Sequence, residues 1–132
     1  MENPVRVALA EILEEDKTLM GLVKGVFFKE RDKDVGFPIV IFHKSSGVPT
    51  WAFDGPPMDR DVWLVKGVGP RIQAEGIDKR VKEVLRNATL HIEGKAHQDI
   101  RQMSDVDFDE IVDGERVDHV GAEFRIYSED NN

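Results

Sequence analysis

The chain has 132 residues, 18 basic against 26 acidic, for a formal charge of −8, and it contains no cysteine. This length predicts one domain, residues 1–132, that buries roughly two-thirds of the surface of its unfolded form, so one core suffices without a metal or disulfide. Lack of cysteine removes disulfides, thiolate nucleophiles and cysteine-rich zinc sites. The acidic balance argues against tight wrapping of nucleic acid, which needs clustered Lys and Arg.

Met1-Glu2-Asn3-Pro4 has no basic region leading into an apolar run, and no apolar stretch approaches the roughly 20 residues of a membrane span. The expectation is a soluble protein with no signal peptide and no membrane partner. Asn3-Pro4 makes a good helix start, Asn as a cap and Pro in the first turn. Val5, Leu9, Ile12 and Leu13 follow at i, i+4, i+7 and i+8, with Ala8 on the same face. Asp16 or Thr18 caps a short second turn through Leu19 and Leu22, ended by Gly25.

Val26-Phe27-Phe28 reads as a first strand, and charged Lys29 to Asp34 as a turn or hairpin end. Pro38 to His43 is the strongest strand, and its continuous apolar run predicts a central place with both faces covered. From Ser45 to Asp61, Gly47, Pro49, Gly55, Pro56 and Pro57 predict a long irregular loop holding Trp51 and Phe53. Those aromatics either fold back on the core or anchor another subunit.

Val62 to Val65 is strand-like, and Gly67-Val68-Gly69 reads as a tight strand-to-helix connection. A second helix is predicted from Pro70 to about Asn87, with Ile77, Val81, Val84 and Leu85 on its apolar face and Gly76 weakening it by about 1 kcal/mol. Thr89 to Glu93 alternates as a short half-buried strand, and His97 to Met103 is a weaker one. Asp113-Gly114 is a turn between Ile111-Val112 and Val117 to Tyr127, and Ser128 to Asn132 reads as a frayed end. The order favours an α+β fold: a mainly antiparallel β-sheet with two α-helices on one face, plus a β-hairpin and a long loop.

Chemistry-bearing motifs fail one by one. His43, His91, His97 and His119 match no metal-binding spacing and read as surface or partly packed. Asp105, Asp107 and Asp109 open like a calcium loop, but Glu110 stands where Gly is needed and Arg116 where Glu would chelate. A solvated acidic edge that discourages stray strand pairing fits better. The Gly67/Gly69 pair lacks the third glycine of a dinucleotide fingerprint, and no serine has an elbow sequence. The expectation is no catalytic residue, no metal and no cofactor.

In order and spacing, the pieces resemble the phage tail-completion (tail-terminator) family of long-tailed, siphovirus-like phages. They are Val5 to Leu13, Asp16 to Gly25, Phe37 to Ile41, Trp63-Leu64-Val65, the helix with Ala74, Ile77, Val81 and Leu85, Leu90 to Gly94, and His119 to Tyr127. The likeness spans nearly the whole chain, and the Ser45–Arg60 and Asp105–Asp113 segments depart from it.

The resemblance implies a structural, non-enzymatic virion protein at the head-proximal end of the tail, present in the host cytoplasm during assembly. It implies a six-fold ring of copies that caps the tail tube, ends its polymerisation and offers the head–tail joining surface. The implied partners are the chain itself, the major tail tube protein and the head–tail connector, with DNA passing an acidic channel without specific binding. Trp51 and Phe53 are the candidate interface anchors, and Val62 with Leu64, or Val117 with Val120, candidates for edge pairing between copies. The alternatives are a neck or head-completion connector, a nucleic-acid-binding protein, or a small-ligand-binding domain or enzyme.

Overall fold

In the computed structural model, which describes residues 3–50, 58–86 and 88–130, α1 (Pro4–Glu15) starts where the sequence predicts. Asn3 Oδ1 accepts from the Val5 amide at 2.8 Å, satisfying one of the donors that a helix start leaves open. Asp16 caps α2 (Lys17–Met20) through the Leu19 amide. That helix ends at Gly21, well short of the predicted Gly25, and leaves Leu22 exposed.

Five strands form one sheet in the order β1-β2-β3-β5-β4. They are β1 (Val26–Phe28), β2 (Ile39–Thr50), β3 (Met58–Gly69), β4 (Lys95–Val112) and β5 (Glu115–Asp130). All pairings are antiparallel except β1 with β2, so the α+β, mainly antiparallel architecture holds. The parallel pair corrects the hairpin reading of Lys29 to Asp34, because parallel neighbours need a crossover. That crossover runs over one sheet face, where Val35 and Phe37 pack on Ile39, Ile41, Val68 and Val117.

The long irregular loop is also corrected. β2 runs on to Thr50 and pairs with β3 from Met58, making a long two-stranded ribbon. β1 accompanies β2 only over Val40 to Phe42, so Pro49 falls on an edge stretch, where a missing donor is tolerated. Gly67-Val68-Gly69 belongs to β3 and is not a connecting loop. Thr89 to Ile92 joins no strand and Glu93-Gly94 turns, although Leu90 and Ile92 are buried and His91 is exposed as the alternation predicts. Of the end read as frayed, Ser128 to Asp130 pair in β5 and Ser128 is buried, while Asn131 and Asn132 lie outside the described residues.

α3 (Arg71–Arg86) lies across β3 and β5 with Ala74, Ile77, Val81 and Leu85 inward. Gly67 makes that approach possible, since a Cβ there would sit 2.7 Å from Ile77 Cβ and 2.9 Å from the Ala74 carbonyl oxygen. All three helices share this face with Val40, Phe42, Trp63, Val65, Ala122, Phe124 and Ile126. Arg80 ties α3 to α2 by donating to both Asp16 oxygens, at 2.8 and 2.7 Å. The Arg80 hydrogen bond holds the Asp16 carboxyl below its usual range, against the opposing effect of burial and with help from the Leu19 amide.

Candidate functional site

The helices cover one face of the sheet, and alternation along each strand therefore assigns the other side chains to the second face. Among the described residues, only the 29–37 connection crosses that face, at the end where β2 begins and β3 finishes. Towards the other end it carries Val62 and Leu64 from β3 and Glu123, Arg125 and Tyr127 from β5. Arg125 donates to the Tyr127 hydroxyl at 3.2 Å, while its half-buried side chain leaves Nε without a partner.

Beside the crossover, β3, β4 and β5 bring four side chains into one cluster. The Phe108 and His119 rings stack with centroids 4.3 Å apart and planes 11° from parallel. Lys66 Nζ lies 4.9 Å from the Phe108 centroid, a cation–π arrangement. His119 is 5 % exposed, and its Nε2 meets Glu110 Oε1 at 2.6 Å. A carboxylate only accepts, so Nε2 donates, and this leaves Nδ1 as a buried acceptor with no partner.

Burial pushes the His119 imidazole below its ordinary pKa, and the nearby Lys66 charge adds to that; the Glu110 bond and Asp118 pull the other way. Burial likewise lowers the Lys66 ammonium, opposed by Glu110. Next to the cluster, under the crossover, lies a cavity of about 440 Å³. Its walls combine Lys29, Arg31 and Lys33 with apolar Phe37, Ile41 and Val68.

β4 forms the acidic edge that the sequence predicts, but its acids are engaged with neighbours. Asp107 takes two hydrogen bonds from Arg71, at 2.6 and 2.7 Å, and Asp105 one from Lys82 at 2.9 Å. Asp109 faces Arg116 at 3.4 Å. Aspartates on one side of β4 thus reach α3, while Phe108 and Glu110 turn to the opposite face. The exposed apolar residues of this strand include Met103, Phe108 and Ile111, the last 68 % exposed.

The predicted interface residues scatter. Trp51 and Phe53 lie outside the described residues. Val62 and Leu64 are half-buried on the uncovered face, Val117 is buried beneath the crossover, and Val120 is buried on the helix side. Edge pairing through these four is corrected by the strand order: β3 is flanked by β2 and β5, and β5 by β3 and β4. Both ladders of each strand are occupied. The outer strands are β1 and β4, together with the β2 stretch that β1 does not reach.

Sequence reasoning missed the cluster of Lys66, Phe108, Glu110 and His119. A signal for half of it was present. A two-residue turn at Asp113-Gly114 pairs Val112 with Glu115, and counting outward sets Phe108 opposite His119. Asp113 and Gly114 both take positive φ, 50° and 79°, as such a turn demands.

No protein-family profile matches the chain, and no curated protein matches it in sequence. Solved structures do share its fold. A chain in the virion of a native gene transfer agent (GTA) particle superposes with a TM-score of 0.79 at 13% identity, over 95% of this chain and 94% of that one. The bacteriophage SPP1 gp17 protein is 26% identical with a TM-score of 0.51, over 97% of this chain and 89% of its own. This α+β fold is therefore one used by a virion component and by a bacteriophage protein, in each case over nearly the full length.

Proposed function

We propose that the chain is a structural protein of a phage or phage-like particle. It caps the tail tube as a ring of copies, stops polymerisation and presents the surface that joins tail to head. The whole-length likeness to a GTA virion chain, joined by the 26% identity with bacteriophage SPP1 gp17, carries this reading. The uncovered sheet face and the long β2–β3 ribbon support it, because they offer surfaces beyond those the fold consumes in its own packing.

The mechanism is geometric. A heterologous contact repeated by a fixed rotation closes into a ring, six-fold here, and a closed ring exposes no further site for the tube to grow on. One ring face meets the major tail tube protein and the other the head–tail connector. A charge of −8 per copy disfavours retention of DNA phosphates, so DNA passes through without specific binding. No step in this account makes or breaks a covalent bond.

The test is electron microscopy of particles assembled without the protein. Tails of unregulated length, unjoined to heads, are the expected result. Uniform tails on filled heads would sink the reading. Particles carrying a labelled copy locate the layer: a label at the tube end supports a terminator, and one nearer the capsid supports a neck connector.

A further inference from the structure

The cavity beneath the 29–37 crossover is large enough for two side chains of an incoming segment, and its lining is of two kinds. Phe37, Ile41, Val68 and Phe108 make an apolar floor. Around it Lys29, Arg31, Lys33 and Lys66 outnumber Glu30 and Glu110. In a chain of charge −8 this is a local excess of positive charge. The wall also holds His119, buried and with Nδ1 unpartnered. Apolar floor and cationic rim together suit a ligand that is aromatic and carries a carboxylate, and the Nδ1 acceptor calls for a donor, which an indole N–H supplies.

The chain itself contains such a segment. Residues 51–57 read Trp-Ala-Phe-Asp-Gly-Pro-Pro: two aromatics, one carboxylate and no cation. They join Thr50 to Met58, which pair with each other at the end of the ribbon away from the cavity. The run from Ile41, in the cavity wall, to Thr50 is about 30 Å long at ~3.3 Å per residue. A seven-residue link between paired Thr50 and Met58 has a backbone reach of roughly 14 Å at most, even fully extended. A copy cannot fill its own cavity, but it can fill a neighbour's.

We propose that the 51–57 segment of one copy docks in the cavity of the next, with Trp51 and Phe53 on the apolar floor and Asp54 against the Lys/Arg rim. The occupant is a second copy of this chain. Donor and acceptor surfaces sit at opposite ends of one sheet, so the contact is heterologous and repeats from copy to copy. The proposal rests on the ring reading and supplies its subunit contact.

The absence of cysteine makes the test clean. Phe53→Cys and Lys33→Cys copies are incorporated together into particles, which are purified and mildly oxidised. Disulfide-linked pairs of this chain are expected, whereas Phe53→Cys with Glu14→Cys, on the exposed side of α1, stays unlinked. Incorporation of Trp51→Ala falls about tenfold or more, the usual scale for an aromatic anchor, while its circular dichroism and melting match the parent. Particles that hold both cysteine variants and form no link would overturn the docking and leave the ring intact. Linkage of Phe53→Cys to a different virion protein would overturn it as well. Particles that hold no copy of the chain would remove the ring reading, and the docking with it.

Discussion

On the helix side of the sheet, Trp63, Phe42, Phe124, Leu9, Ile77 and Leu85 are almost wholly buried, and the aromatic trio of Phe28, Phe42 and Trp63 meets with ring centroids 5.6 to 6.3 Å apart. On the other side the covering among the described residues is the 29–37 crossover, and beyond it lie half-buried Val62, Leu64, Glu123 and Arg125. The first face obtains its free energy from apolar area; beyond the buried cluster under the crossover, the second mixes charge and half-buried apolar surface in a way that adds little to folding. Substitution should separate the two. Trp63→Ala is expected to cost about 3–5 kcal/mol, the range for emptying a large aromatic site in a core. Leu64→Ala, its neighbour facing the other way, should cost about 1 kcal/mol. Urea denaturation of both variants checks the ranking, and equal losses would mean that the uncovered face is part of the folding core.

Glycine offers a finer comparison within the covered face. Gly67 lies under α3, where a Cβ would meet Ile77 and the Ala74 carbonyl at less than contact distance. Gly76 lies on α3 itself, exposed, with nothing within 4 Å of the Cβ position. Gly67→Ala should therefore destabilise by about 1–3 kcal/mol through overpacking. Gly76→Ala should stabilise by about 1 kcal/mol through helix propensity alone. Thermal melts of the two variants should move in opposite directions. A stabilising Gly67→Ala would show that α3 can lift from the sheet without loss.

This contrast also explains what the sequence discloses. The apolar periodicity of α1 and α3 and the turn at Asp113-Gly114 are local signals, and all three appear in the fold as read. The β2–β3 ribbon was hidden because Gly47, Pro49, Gly55, Pro56 and Pro57 speak for a loop. The edge stretch of β2 tolerates Gly47 and Pro49, but edge position is a property of the sheet, and 51–57 lie outside the described residues. For the same reason Val62 and Val117 looked free for pairing with other copies; their strands turn out to be interior, fixed by contacts far apart in sequence. Lys66 joins Phe108 and His119 only through the β3–β5 register, which no local pattern encodes. The two glycines at 67 and 76 are equally silent in sequence, and only the helix position tells the tight one from the open one.

The smallest effect is the one that titrates. On the covered side, Asp16 has its pKa lowered by Arg80. Its contribution is complete above the unfolded carboxyl pKa, near 3.9, and is lost only as the pH falls below that value. On the uncovered side, His119 also has a lowered pKa, because burial disfavours the imidazolium. For a base the consequence falls in a different window. Below about pH 6.5 the unfolded chain takes up a proton that the folded chain refuses, so ΔG of unfolding declines as the pH drops from about 6.5 towards the folded pKa. Lys66 and Asp118 flank the ring, and Glu110 bonds to it without reversing the shift. Denaturation midpoints followed from pH 7.5 to 3 should therefore show an early decline that His119→Gln flattens and a late one that Asp16→Asn flattens. A profile in which His119→Gln leaves the decline near pH 6 unchanged would place its origin in another histidine and mean that the Glu110 bond, not burial, governs the ring.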